Sequence, residues 1–211
     1  MSKVIAINGS PRKNGNTSLL IGVALEEFEK AGFETESINI GGEALIGCQA
    51  CYTCRKTRDN TCKYNKDSFN KVYRKCLDAD IIILGSPVYV GGMTSSMKAF
   101  IERACIVSRA NDQALKRKIG ASIVAVRRNG ALETFNALNN FFTISEMIIV
   151  GSSYWNQGIG KDKGEVLNDE EGIRTIKTLA ENIIWMANKL GGSEEEIKKI
   201  KKAKKLKGKK S

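Results

Sequence analysis

Apolar residues along the chain fall into two patterns, short continuous runs and stripes at helical spacing. Residues 4–8 are a short apolar run ending at Gly9, and their length and β-branching predict a buried strand. After a polar turn, Leu19, Leu20, Val23, Leu25 and Phe28 recur at helical spacing over residues 17–30, and Gly32 marks the stop. Residues 33–40 alternate as a second strand. Residues 68–77 read as a helix. Residues 80–85 hold Ile81, Ile82, Ile83 and Leu84, the uninterrupted apolar run of a central parallel strand. The alternation continues with a helix over 95–107, a strand over 120–126, a helix over 132–142 and a strand over 147–152. A long helix over 169–190 starts at an Asp cap and is expected to end at Gly191 and Gly192.

Strand and helix alternating five times predict an α/β fold, a parallel sheet with helices on both faces. Right-handed crossovers make it doubly wound, and five strands suit the flavodoxin-like order 2-1-3-4-5. The chain of 211 residues fits one such domain. The expected boundaries are residues 1–193 for the domain, with 41–66 as a long irregular loop after the second strand, and 194–211 as a basic, lysine-rich tail.

Composition narrows the chemistry. No histidine is present, which excludes Ser-His-Asp and Cys-His catalysis as usually built. The net charge is +11, and residues 194–211 alone carry +6 of it. A block of like charge is ordinarily a solvated segment. No aromatic residue is interleaved with these lysines, which argues against a stacking platform for nucleic acid. No apolar run reaches the roughly 18–20 residues of a membrane span, and the N-terminus reads as a strand rather than a secretory signal. A cytoplasmic location is expected.

In sheets of this kind ligands sit beyond the C-terminal strand ends. The segment after the first strand reads GSPRKNGNTS, and it opens a helix whose first amides favour an anion. Ser10, Asn16, Thr17 and Ser18 supply neutral donors and Arg12 a charged fork, a set suited to a phosphate monoester. The segment matches neither G-x-G-x-x-G nor the nucleoside triphosphate loop. The alternative is an ordinary polar turn. After the third strand, Pro87, Tyr89, Gly91 and Gly92 suit the face and edge of a flat ring, or simple loop packing.

Cys48, Cys51, Cys54 and Cys62 read C-x2-C-x2-C-x7-C. Three cysteines at intervals of three let one loop wrap a cubane, and the start matches that of bacterial ferredoxins. The spacing favours a [4Fe-4S] cluster. Zinc more often uses two separate knuckles, and disulfides are disfavoured in the cytoplasm. Both stay open as alternatives. Cys76 and Cys105 lie in helical patterns and read as inert thiols. Trp155 suits a flat ring, an interface or the core.

The run Gly-Ser-Pro-Arg-x-x-Gly-Asn-Thr after the first strand, with Ser-Pro-Val-Tyr after the third, resembles the NADPH-dependent FMN reductase superfamily. The cysteine loop after the second strand is similar to that of the iron–sulfur flavoproteins of anaerobic archaea and bacteria. The resemblance covers about residues 3–190 and implies FMN and a [4Fe-4S] cluster as cofactors. It implies phosphate contacts from Ser10, Arg12, Asn16, Thr17 and Ser18, and ring contacts from Pro87, Val88, Tyr89 and Gly91. It also implies a role for Arg128, Asn129 and Gly130 after the fourth strand, where Ala131 and Leu132 depart from the glycine-rich pattern of relatives. Cys48, Cys51, Cys54 and Cys62 would ligate the metal.

The function so implied is an oxidoreductase in a homo-oligomer, a dimer or tetramer. It would carry electrons from a ferredoxin-type donor through the cluster to FMN and on to an acceptor. The reach of the 41–66 loop favours a flavin at a subunit interface. The alternatives are an NAD(P)H-dependent flavin or quinone reductase and, in another class, a zinc-stabilised nucleic-acid-binding module.

Overall fold

The computed structural model describes the backbone of residues 2–207 and the side chains of residues 2–191. The strands are β1 (Lys3–Asn8), β2 (Glu34–Asn39), β3 (Ile81–Pro87), β4 (Ile119–Val126), β5 (Ile148–Ile149) and β6 (Gln157–Ile159). The helices are α1 (Asn16–Lys30), α2 (Thr53–Thr57), α3 (Phe69–Asp78), α4 (Ser95–Ala110), α5 (Ala131–Ile144) and α6 (Glu170–Lys207), with a short 3-10 turn at Glu165–Asn168. The sheet is parallel in the order β2-β1-β3-β4-β5, and β6 also pairs with β4. This is the flavodoxin-like, doubly wound order that the alternation of elements predicts.

Period-2 alternation builds a core on each face of the sheet. Ile5, Ile7, Ile82 and Leu84 point into one core, with Phe69 and Tyr73 of α3, Phe100 of α4 and Phe142 of α5. Val4, Ala6, Ile81 and Ile83 point into the other, with Leu20, Ile21 and Phe28 of α1 and Ile176 and Ile183 of α6. Strand β4 is buried along its whole length, whereas β2 at the edge is half exposed. The apolar runs of the central strands are therefore two interleaved half-patterns.

Two expectations need correction. The fifth strand does not run through 147–152. Ile148 and Ile149 pair with the start of β4, the chain leaves the sheet, and Gln157–Ile159 returns beside the end of β4 as β6. The excursion carries the polar Gly-Ser-Ser turn and the half-exposed Tyr154 and Trp155, which pack edge-to-face at 4.6 Å. Trp155 therefore belongs to neither core.

The second correction concerns the C-terminal helix. Its start is as expected: Asp169 accepts the Gly172 N–H at 3.0 Å and the Ile159 N–H at 2.7 Å. Its end is not, because α6 passes through Gly191 and Gly192 to Lys207. A glycine in a helix interior costs only about 1 kcal/mol. Glu194 and Glu195 stand four residues before Lys198 and Lys199, a spacing that supports helix beyond the glycines. Residues 208–211 of the basic segment lie outside the described part.

The C-terminal edge of the sheet is tied tightly. Thr94, the cap of α4, donates to the Gly9 carbonyl at 2.8 Å and its own N–H reaches Ser86 Oγ at 3.1 Å. Gly41, after β2, lies so close to the segment after β1 that a Cβ there would stand 2.0 Å from the Ser10 carbonyl carbon. The obstacle is backbone, so no rotamer change relieves it. We expect Gly41→Ala to lower stability by about 1–3 kcal/mol, seen as a lower urea midpoint. An unchanged midpoint contradicts this close approach.

Candidate functional site

The phosphate-type segment leaves β1 and enters α1. No side chain caps α1 at Gly15 and no acidic residue occupies its first turn, so its first amides are available to an anion. A cavity of about 240 Å³ opens there, at the C-terminal strand ends. Ser10, Arg12, Asn16, Thr17, Pro87, Val88 and Tyr89 line it, seven of the residues expected from the sequence. The Thr17 hydroxyl is buried and has no hydrogen-bond partner among the described residues. An orphaned donor beside free helix amides fits a bound phosphate oxygen.

Asn16 behaves differently from a free donor. Its amide nitrogen donates to the carbonyls of Gly160 at 3.0 Å and Asp162 at 2.9 Å, and its oxygen accepts the Gly164 N–H at 2.9 Å. Arg12 Nη1 donates to the Lys161 carbonyl at 3.2 Å. Both side chains thus fasten the segment after β6 over the cavity, and Lys161 and Arg127 become lining residues. Lys161 carries no sequence signal because β6 itself is not legible in the sequence, whereas Arg127 directly follows β4, in the polar segment after the fourth strand.

Ser18, Gly91, Arg128, Asn129 and Gly130 do not line the cavity. Gly130 lies against the ring-type loop, where a Cβ would stand 2.8 Å from Val88 Cγ1 and 3.1 Å from Gly91 Cα. That loop is a tight turn in which Tyr89 and Gly92 exchange both backbone hydrogen bonds. Val90 at its tip is fully exposed and has φ of 50°, a region that β-branched residues rarely enter. Arg128 and Asn129 are exposed.

The 41–66 loop brings Cys48, Cys51, Cys54 and Cys62 to one small cavity beside α4. All four are free thiols; Cys54 is buried, Cys48 and Cys62 half-buried and Cys51 exposed. Ala50, Tyr52, Arg58 and Asn60 all have positive φ, so the backbone coils tightly around Cys51 and Cys54. Burial raises the Cys54 thiol pKa, and Cys62, Cys48 and Cys51 push it the same way. Hydrogen bonds from Thr53 lower that of Cys51.

The four thiols line one common cavity, as an iron–sulfur group held by cysteine thiolates requires.

Cys76 is buried and inert, its thiol pKa pushed up to about 12 by desolvation. Cys105 is half-buried and lines a groove shared with Cys48.

With this geometry in view, residues 2–162 match the family described as NADPH-dependent FMN reductase. The chain belongs to that family. It is 37% identical over 188 residues to an iron–sulfur flavoprotein of Methanocaldococcus jannaschii, covering 86% of this chain and 95% of the relative. It is 36% identical over 183 residues to the iron–sulfur flavoprotein of Methanosarcina thermophila, covering 86% and 93%. The solved structure of RosB with a bound riboflavin-5'-phosphate derivative has the same fold, with a TM-score of 0.71 and 18% identity, covering 91% of this chain and 81% of RosB. The protein is a flavin-linked oxidoreductase of this family, within its iron–sulfur flavoprotein branch. No helix among the described residues is long and apolar enough to cross a membrane.

The exposure and thiol chemistry predict an order of reaction in metal-free protein near pH 8. Cys51 should be alkylated first by iodoacetamide, Cys54 and Cys76 last, because attack needs an accessible thiolate. Peptide mass spectrometry at short times measures this. Cys76 labelling alongside Cys51 contradicts the burial assigned to it.

Proposed function

We propose that this protein takes up single electrons at the cysteine loop from a ferredoxin-type donor and passes them in pairs to an acceptor at the flavin site. The observation that carries this reading is that one fold holds two separate cofactor-ready sites. One is an anion-ready cavity at the strand ends, the other a four-cysteine pocket on the loop after β2. FMN supplies two-electron chemistry when bound, and a [4Fe-4S] cluster one-electron chemistry.

Ser10, Arg12, Thr17 and the first amides of α1 would hold the FMN phosphate, with Ser18 beside them on the same turn. Asn16 holds the segment after β6 in place over them. Pro87, Val88 and Tyr89 would face the flavin ring, with Gly91 and the 128–130 turn behind them. Cys48, Cys51, Cys54 and Cys62 would ligate the cluster. On the 41–66 loop the exposed cations Arg55, Lys56, Lys63 and Lys66 outnumber the exposed carboxylates Glu43 and Asp59, and Asp67, just beyond it, is buried against Arg103. This cationic rim supports docking of an acidic one-electron carrier. The two sites share no lining residue, which leaves room for the loop to serve a flavin of a neighbouring subunit in a homo-oligomer.

The family description favours a second reading, direct reduction of the flavin by NAD(P)H. Rapid mixing separates the two. Anaerobically purified protein should contain iron, sulfide and FMN. With reduced ferredoxin, absorbance should show cluster bleaching before flavin reduction. Flavin reduction by NADPH that outpaces reduction by ferredoxin, and survives removal of the iron, decides for the second reading.

Arg12→Ala should weaken FMN binding about 10–100-fold and riboflavin binding little, since a hydrogen bond to a charged group contributes about 1.5–3 kcal/mol. Equal losses in titrations of both ligands would remove Arg12 from the phosphate site. Alanine at Cys48, Cys51, Cys54 or Cys62 should abolish or destabilise the cluster and leave FMN bound. A variant with full iron and sulfide content takes that cysteine out of the ligand set.

A further inference from the structure

Arg103 on α4 is 1% exposed, and it lines the same small cavity as the four cysteines. Its Nη1 donates to Asp67 Oδ2 at 2.5 Å and reaches the Ile46 carbonyl at 3.5 Å. Its Nη2 donates to the Tyr64 carbonyl at 2.7 Å. Phe69 and Tyr64 cover its faces, with guanidinium-to-ring distances of 4.1 and 5.5 Å. Asp67 in turn accepts the Ile46 N–H at 3.4 Å. The pair therefore grips both backbone groups of Ile46, two residues before Cys48, and the carbonyl of Tyr64, two residues after Cys62. Further ties act in the same sense. Cys48 N–H reaches Glu102 at 3.4 Å, Cys62 N–H donates to Asn70 at 2.8 Å and Asn60 N–H to Asn111 at 3.0 Å.

Stability alone is a weak account of this arrangement. Burying an ion pair carries a desolvation penalty that well-packed apolar residues avoid. A planar fork with five donors does what they do not: it fixes two distant chain segments in one orientation. It also places a permanent positive charge beside four thiols that become thiolates when they bind metal. One-electron reduction adds negative charge there, and a fixed cation favours it.

We propose that Arg103 is the positioning residue and fixed counter-charge of the cysteine pocket. Held by Asp67, it closes the loop on itself before any iron arrives, and it raises the potential at which an iron–sulfur group in the pocket accepts an electron. This rests on the iron–sulfur reading above for its second part, whereas the first part concerns the chain alone.

Three variants test it: Arg103→Met, Arg103→Lys and Asp67→Asn. In metal-free protein, Cys48 and Cys62 of Arg103→Met should be alkylated faster than in the wild type, with Cys76 unchanged. Equal rates overturn the closure, whether or not the protein binds iron. After anaerobic reconstitution with iron and sulfide, Arg103→Met should lose iron to a chelator about 10–100-fold faster, as for other outer-shell partners. Arg103→Lys should fall between it and the wild type. Potentials poised with dithionite should fall in Arg103→Met, which removes the cation, and rise in Asp67→Asn, which leaves it uncompensated. A merely structural role does not give opposite signs. Wild-type rates of iron loss in Arg103→Met, or potentials that are unchanged or move the same way in both variants, overturn the proposal. Should Arg103→Met fail to retain FMN, Asp67→Asn decides alone: a rise supports the proposal, and an unchanged or lower potential overturns it. A wild type free of iron and sulfide after reconstitution refutes the cluster reading instead, and the alkylation rates still judge the closure.

Discussion

Strands β1, β3 and β4 lie side by side with apolar residues on both faces, and helices cover both. Backbone groups along these strands are paired by their neighbours, so the middle of the sheet has no polar group to offer a ligand. Parallel order then sends the segments that follow β1, β3 and β4 out at one edge. The uncapped amides of α1 and the cavity lined by the segments after β1 and β3 are found there as a consequence. Thr94 and Gly41 brace those segments against one another, so the cavity at the edge is held by backbone contacts as well as side chains.

The two sites are built on opposite principles. The anion cavity depends on the sheet: helix dipole, free amides, the Thr17 hydroxyl and a fastened segment after β6 are consequences of where strands end. The cysteine loop departs from an edge strand and has only a five-residue helix of its own. Its order comes from outside, through Glu102 and Arg103 on α4, Asn111 at the end of α4, and Asn70 on α3. Binding metal on a loop already tied at both ends differs from the small zinc domains, in which metal binding and folding are one event.

Near-continuous apolar runs and an alternation of periods two and 3.6 are local properties, and they determined the order of the main elements and the fold class; the strand order then followed from the rules for doubly wound sheets. The phosphate-type segment, the ring-type turn and the C-x2-C-x2-C-x7-C spacing were equally legible, since each is a run of neighbouring residues with its own chemistry. The end of α6 was misjudged because Gly191 and Gly192 look like a stop, while helix formers on both sides carry the helix through them. β6 was missed because three residues paired to one strand leave no periodic signal.

The roles of single polar side chains were decided only by tertiary structure. Asn16 reads as a ligand from its place in the motif, and in the fold its amide is occupied by carbonyls and an N–H some 144 to 148 residues away. Arg103 reads as one more charge on a helix, and in the fold it is buried between the two ends of the cysteine loop. Local pattern identifies the kind of chemistry a segment carries, because that depends on residue type and spacing. Which donors stay free for a ligand depends on the partners that distant parts of the chain bring to them, and only the folded molecule brings those together.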